Sequence, residues 1–117
     1  FHEVQVNSGI DIQFRKNEPT FTLTSEAELS IFRGVQEAIT NAMRHGQATR
    51  ITVLLMYNPS QLVVTIKDNG TGAVDLAPKG GLKSLQERLR AEGGSVTLEA
   101  SNPGVTVQMI LPNTEKQ

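Results

Sequence analysis

The stretch from Thr24 to about Gly46 carries the hydrophobic period of a helix, while the segments on either side carry that of strands. One long helix among short strands points to a sheet covered by helices on a face. Thr24 or Ser25 can cap this helix, and Glu26 to Glu28 suit the positive end of its dipole. Leu29, Phe32, Ile39 and Met43 are spaced for one apolar face, whereas Arg33, Glu37, Asn41 and His45 fall every fourth residue along a polar stripe. Upstream, Gly9 to Arg15 alternates Ile10, Ile12 and Phe14 with polar residues, the pattern of a strand with one buried face. Downstream, Arg50–Tyr57 and Gln61–Asp68 are β-rich runs around the turn-forming Asn58-Pro59-Ser60, which predicts an antiparallel hairpin.

Asn69 to Lys79 is rich in Gly, Asn, Asp and Pro and lacks periodicity, so a mobile loop is expected there. Leu82, Leu85 and Leu89 give a second helix its buried stripe, and Gly93-Gly94 supply its left-handed stop. Ser95–Ser101 and Val105–Leu111 flank Asn102-Pro103-Gly104 as a final hairpin. The order β-α-β-β-α-β-β reads as an α/β two-layer sandwich (α+β): a mixed, largely antiparallel sheet with both helices on one face.

A chain of 117 residues has room for one such core. A net charge of -1 gives no electrostatic reason to expect nucleic acid or an anionic membrane as partner. The absence of cysteine excludes disulfides and thiolate metal sites and is compatible with the cytosol. No apolar run is long enough to span a bilayer, and no signal-peptide layout opens the chain. A start at Phe1 and a polar end lead to the expectation of a piece of a longer protein: flank 1–8, one domain over 9–112 and a tail over 113–117.

Three groups of residues carry chemistry. On the polar stripe the Asn41 amide oxygen is a hard ligand suited to Mg²⁺, and Arg44 or His45 could neutralise phosphate beside it. The competing explanation is a solvated helix surface. At the end of the second hairpin strand, Asp68 precedes Gly70 and Gly72, so a carboxylate that can accept from an exocyclic amine sits where backbone can approach a planar ligand. That arrangement favours adenine over guanine, although a plain Asp-Asn-Gly turn has the same letters. Lys79-Gly80-Gly81 precedes the second helix, whose free N–H groups and dipole can receive phosphate, with Lys79 or Lys83 adding charge. The spacing is not that of a P-loop.

Together and in this order, these groups resemble the superfamily shared by gyrase, the 90-kDa heat-shock chaperone, mismatch-repair and histidine-kinase ATP-binding domains. Glu37-Ala38-Ile39-Thr40-Asn41-Ala42-Met43-Arg44-His45 looks like its asparagine box, Asp68 to Gly72 is similar to its first glycine box, and Gly80-Gly81-Leu82 to its second. Leu85-Gln86-Glu87-Arg88-Leu89 before Gly93-Gly94 resembles the histidine kinases whose regulators bind DNA through a helix-turn-helix. The resemblance, over roughly Gly9 to Pro112, implies a Bergerat-type ATP site. Asn41 would ligand Mg²⁺, Asp68 would receive the adenine amine, and the loop Asn69–Lys79 would be the ATP lid. Glu37 matches the acidic residue that activates water in ATP-hydrolysing relatives and is the catalytic candidate; in the kinases the nucleophile is instead a histidine on a separate dimerisation domain. His45 matches a basic position near the phosphates. The implied partners are that dimerisation and phospho-acceptor domain and a cognate response regulator. The implied location is cytoplasmic, with the full-length kinase either soluble or anchored in the inner membrane.

The sequence departs from the family pattern at three points. Lys79, Gly80, Gly81, Leu82, Lys83 and Ser84 stand where Gly-x-Gly-Leu-x-Gly is usual, Val105 replaces a threonine that supports the adenine contact, and no phospho-acceptor box is present. Two other readings therefore stay open: an anti-sigma-factor serine kinase of the same superfamily, and a docking module that has lost ATP.

Overall fold

In the computed structural model, which describes residues 2–5, 9–72 and 76–114, the long helix begins where a side-chain acceptor is available. Thr24 is extended (φ -68°, ψ 159°) and its Oγ1 accepts from Ala27 N, which satisfies one of the helix's orphan donors. Helix α1 then spans Ser25–Arg44. Strands β1 (His2–Gln5) and β2 (Asp11–Lys16) precede it; β3 (Arg50–Tyr57), β4 (Gln61–Asp68), α2 (Gly80–Ala91), β5 (Ser95–Ala100) and β6 (Val105–Pro112) follow. The β3–β4 turn is locked by Asn58, whose Oδ1 accepts from Ser60 N and Gln61 N at 2.8 and 2.9 Å. Helix α2 stops at Gly93 (φ 85°), from which Gly94 N returns to Leu89 O at 2.7 Å.

The strands form one sheet in the order β1-β2-β3-β4-β6-β5, in which only the β2–β3 pair is parallel. Both helices cover one face, which bears the fully buried Ile51, Val53, Leu62, Val64 and Met109. This is the expected two-layer α/β sandwich with one strand more than the sequence pattern supplies. His2–Gln5 pairs with β2, from His2↔Phe14 to Gln5↔Asp11, and is an edge strand defined by main-chain pairing, which hydrophobic periodicity does not report. Flank residues 1 and 6–8, loop residues 73–75 of the expected lid and tail residues 115–117 lie outside the described residues.

The apolar face expected of α1 is corrected. Leu29 and Phe32 are 49% and 60% exposed, while Ile39 and Met43 pack partly buried against the core. The buried residues are Ser30, Ile31, Gly34, Ala38 and Ala42. The reason is steric: a Cβ at Gly34 would overlap Leu85 Cδ2 of α2 and stand 2.9 Å from Met109 Cε of β6. A helix wedged this closely between a sheet and a second helix presents small side chains at the contact, with Ile31 the one large residue buried. The consequence for the site is that Glu37 and Asn41, adjoining Ala38 and Ala42, are half-buried at the rim of the core, while His45 at the end of the stripe is exposed.

Candidate functional site

Asp68 ends β4 and is only 9% exposed. Its Oδ1 accepts from Gly70 N at 2.8 Å and from Val105 N at 3.3 Å, so one oxygen anchors both the loop after β4 and the first residue of β6. Among the described residues no other group donates to this carboxylate, and Oδ2 is left for a ligand. Two close approaches hold this geometry. A Cβ at Gly104 (φ 89°) would run into the Asp68 main-chain carbonyl and stand 2.6 Å from Oδ1, so both space and dihedral require glycine there. A Cβ at Gly70 would run into the Gly46 carbonyl, which accepts from Thr71 N at 2.7 Å and ties this loop to the end of α1. The intervening Asn69 works away from the site: its Oδ1 accepts from Thr49 N and Arg50 N, both at 2.9 Å, fastening the end of β4 to the start of β3.

Beside Asp68 a cavity of about 320 Å³ opens between α1, the sheet and the start of α2, near the lower end of ligand-pocket sizes. Of the residues singled out by sequence, Glu37, Asn41, His45, Asp68, Gly72, Lys79, Gly80 and Leu82 line it. Arg44, Gly70 and Gly81 do not. Arg44 is exposed in the last turn of α1, Gly70 is consumed by its packing on Gly46, and Gly81 gives room to Glu37, whose Oε2 would be 3.0 Å from a Cβ there. Of the apolar wall formed by Ala38, Ala42, Leu98, Val105 and Val107, sequence reasoning reached only Val105, as the place of the adenine-supporting threonine, and missed the rest. The readable signal for part of it was the small-residue spacing of Gly34, Ala38 and Ala42; Leu98 and Val107 carry no signal beyond strand alternation.

Val105 faces the cavity and Thr106 the opposite side of the sheet, where it pairs with the exposed Lys67. The link from this position to Asp68 is made by the Val105 main-chain N–H, which is independent of the side chain. The departure from threonine removes a hydroxyl and leaves that link in place.

The two ends of the cavity differ chemically. At one end a carboxylate with an open oxygen meets apolar walls, which suits a planar heterocycle bearing an amine. At the other, α2 starts after Lys79 with Gly80 at φ 56°, and its first N–H groups and dipole favour an anion. Among the described residues no cluster of three His, Cys, Asp or Glu could hold a metal by itself. A cation at Asn41 would therefore take its remaining ligands from phosphate oxygens and water, the habit of Mg²⁺. The residues present fit a nucleotide with its metal.

Residues 26–115 match the family described as histidine kinase-, DNA gyrase B- and HSP90-like ATPase. The sensor histidine kinase YxjM of Bacillus subtilis is 32% identical over 117 residues, covering 95% of this chain and 28% of that protein. The oxygen sensor histidine kinase NreB of Staphylococcus carnosus is 29% identical over 120 residues, 98% of this chain and 35% of its own length. The chain thus spans about a third of these relatives. Among solved structures, the ATP binding domain of PrrB from Mycobacterium tuberculosis superposes with a TM-score of 0.64 at 21% identity, covering 89% of this chain and 82% of that one, a likeness of fold. No helix among the described residues is long and apolar enough to cross a membrane. With a Bergerat-type sheet, a cavity beside Asp68 at the end of β4, a family match over residues 26–115 and sequence similarity to sensor histidine kinases, the chain belongs to the histidine kinase-, DNA gyrase B- and HSP90-like ATPase family.

Proposed function

We propose that this domain binds Mg·ATP in the cavity beside Asp68 and serves a sensor histidine kinase by presenting the γ-phosphoryl group to a histidine on a separate dimerisation domain, for onward transfer to a response regulator. The observation that carries the reading is the Asp68 carboxylate: buried, anchored through Oδ1, and open at Oδ2 where the cavity walls are apolar. In that role Oδ2 accepts from the adenine amine, Ala38, Ala42, Leu98, Val105 and Val107 exclude water from the ring, and Gly72 lets the loop backbone pass close by. Asn41 supplies a neutral oxygen to the metal, and the α2 N-terminus with Lys79 and His45 balances phosphate charge. Bound Mg·ATP supplies the phosphoryl donor, and the protein's share is positioning and charge neutralisation. Glu37, one turn before Asn41 on the stripe, is proposed to orient the attacking group and not to activate water. A cytoplasmic location accords with the need for ATP.

The test is labelling. With γ-labelled ATP and Mg²⁺ the domain alone is expected to bind nucleotide and remain unlabelled, since His45 lines the cavity to bind charge. Adding its own kinase's dimerisation domain should give acid-labile label on that partner. Acid-stable label on serine or threonine of an added protein would instead support the serine kinase, which the sensor-kinase relatives do not favour, and absence of nucleotide binding would refute the proposal in favour of a docking module.

A further inference from the structure

A second cavity, about 490 Å³ and larger than the one beside Asp68, lies between α1 and α2. It is polar and cationic. Arg33 enters it from α1 and Arg88 from α2, with the hydroxyl-bearing Ser30, Thr40 and Ser84 around them. Arg88 is held in place: its guanidinium donates to Oγ of Ser30, a residue only 3% exposed, at 2.9 Å. Among the described residues neither arginine forms an ion pair, and the single carboxylate lining the cavity is Glu37. Two arginines from different helices thus line one cavity against a single carboxylate. A guanidinium carries five N–H donors in a planar fork, so one spent on Ser30 leaves Arg88 most of its capacity.

The nucleotide's own phosphates do not account for this cavity. Arg33 stands eight residues before Asn41 on α1, about 12 Å along the axis at ~1.5 Å per residue. The backbone of Arg33 is therefore about two turns from Asn41, and neither arginine lines the cavity that contains Asn41.

We propose that the α1–α2 cleft is a second ligand site, separate from the nucleotide cavity, that binds an oxyanion, a phosphate or carboxylate group, between Arg33 and Arg88. The fork geometry of two arginines matches the paired oxygens of either group. Glu37, shared by both cavities, borders this site as well as the phosphate end of the nucleotide site, so an anion held here is a near neighbour of the phosphoryl-transfer region.

The experiment follows arginine Nε–Hε signals by NMR during titration with inorganic phosphate and, separately, with acetate, each with and without saturating Mg·ADP. Saturable shifts of Arg33 and Arg88 with a midpoint unaffected by ADP are expected. Arg33→Gln, at an exposed position without a bond to lose, should keep the fold and raise that midpoint about tenfold or more, the effect of deleting one charge-assisted partner. Arg88→Gln should do the same and is accompanied by a melting curve, because it also releases Ser30. Tighter binding of phosphate than acetate favours a phosphorylated group as the ligand, and comparable or tighter binding of acetate favours a carboxylate side chain. Shifts that grow linearly without saturation, or a phosphate midpoint displaced by ADP, overturn the proposal. Failure of ADP itself to bind bears on the nucleotide reading alone, since the phosphate titration without ADP still reports on the cleft.

Discussion

Replacing Asp68 by asparagine separates its two duties. The amide has the size of the carboxylate and retains one acceptor oxygen. That oxygen is directed toward Gly70 N and Val105 N, because the reverse orientation would set an NH₂ group against two N–H donors. Both bonds change from charge-assisted to neutral, a loss of about 1 kcal/mol each that is partly offset by no longer burying a charge. The net expectation is a destabilisation of about 1 kcal/mol, visible as a fall of roughly 4 °C or more in Tm. On the ligand side the effect is larger. The NH₂ group takes the place of Oδ2 and faces an adenine amine that is also a donor. ATP affinity should fall by ~1.5–3 kcal/mol, about 10- to 150-fold, the range for losing a hydrogen bond to a charged acceptor. GTP, whose 6-oxygen accepts, should not suffer this loss, and the preference for ATP over GTP should narrow or invert. Calorimetric titration of both proteins with both nucleotides, alongside thermal unfolding, measures every term. Equal affinity of the unsubstituted domain for ATP and GTP, or an ATP affinity within twofold after substitution, would refute the assignment of Asp68 to adenine.

Asn41→Ala should abolish the enhancement of ATP binding by Mg²⁺ while changing stability by no more than ~0.5 kcal/mol; a large stability loss without nucleotide would mark Asn41 as structural. Gly104→Ala should cost about 1–3 kcal/mol in urea unfolding from the positive φ alone, with further loss from overlap with the Asp68 carbonyl, and should weaken ATP binding; a cost below ~0.5 kcal/mol would contradict the packing described. The only tyrosine, Tyr57, has its pKa raised above 10.0 by burial and secondarily by Glu28, so absorbance titration should give a midpoint above the ordinary value. Because the folded state then holds its proton more tightly than the unfolded chain, this contribution to stability is fully present below pH 10 and falls as pH rises through the folded pKa; a midpoint at or below 10.0 would refute it.

The sequence by itself determined the elements and their order. Helix periodicity over Thr24–Gly46, the turn letters Asn58-Pro59-Ser60 and the stop at Gly93-Gly94 are local signals, and the structure bears them out to within a residue or two because caps, turns and alternation depend on neighbouring residues. The residues that cluster at the cavity were largely legible too, since Asn41, Asp68 and Gly80 each sit at an element end or on a polar stripe that local chemistry picks out. Three things were decided only by tertiary structure. The β1 strand exists through its hydrogen bonds to β2. The buried face of α1 is its small-residue face, because the space between Leu85 and Met109 admits a glycine and not a leucine. The sorting of the glycines, with Gly70 packing on Gly46, Gly104 on Asp68 and Gly81 beside Glu37, depends on which chain segments meet, and residues far apart in sequence meet only once the strands have paired and the helices have packed on the sheet.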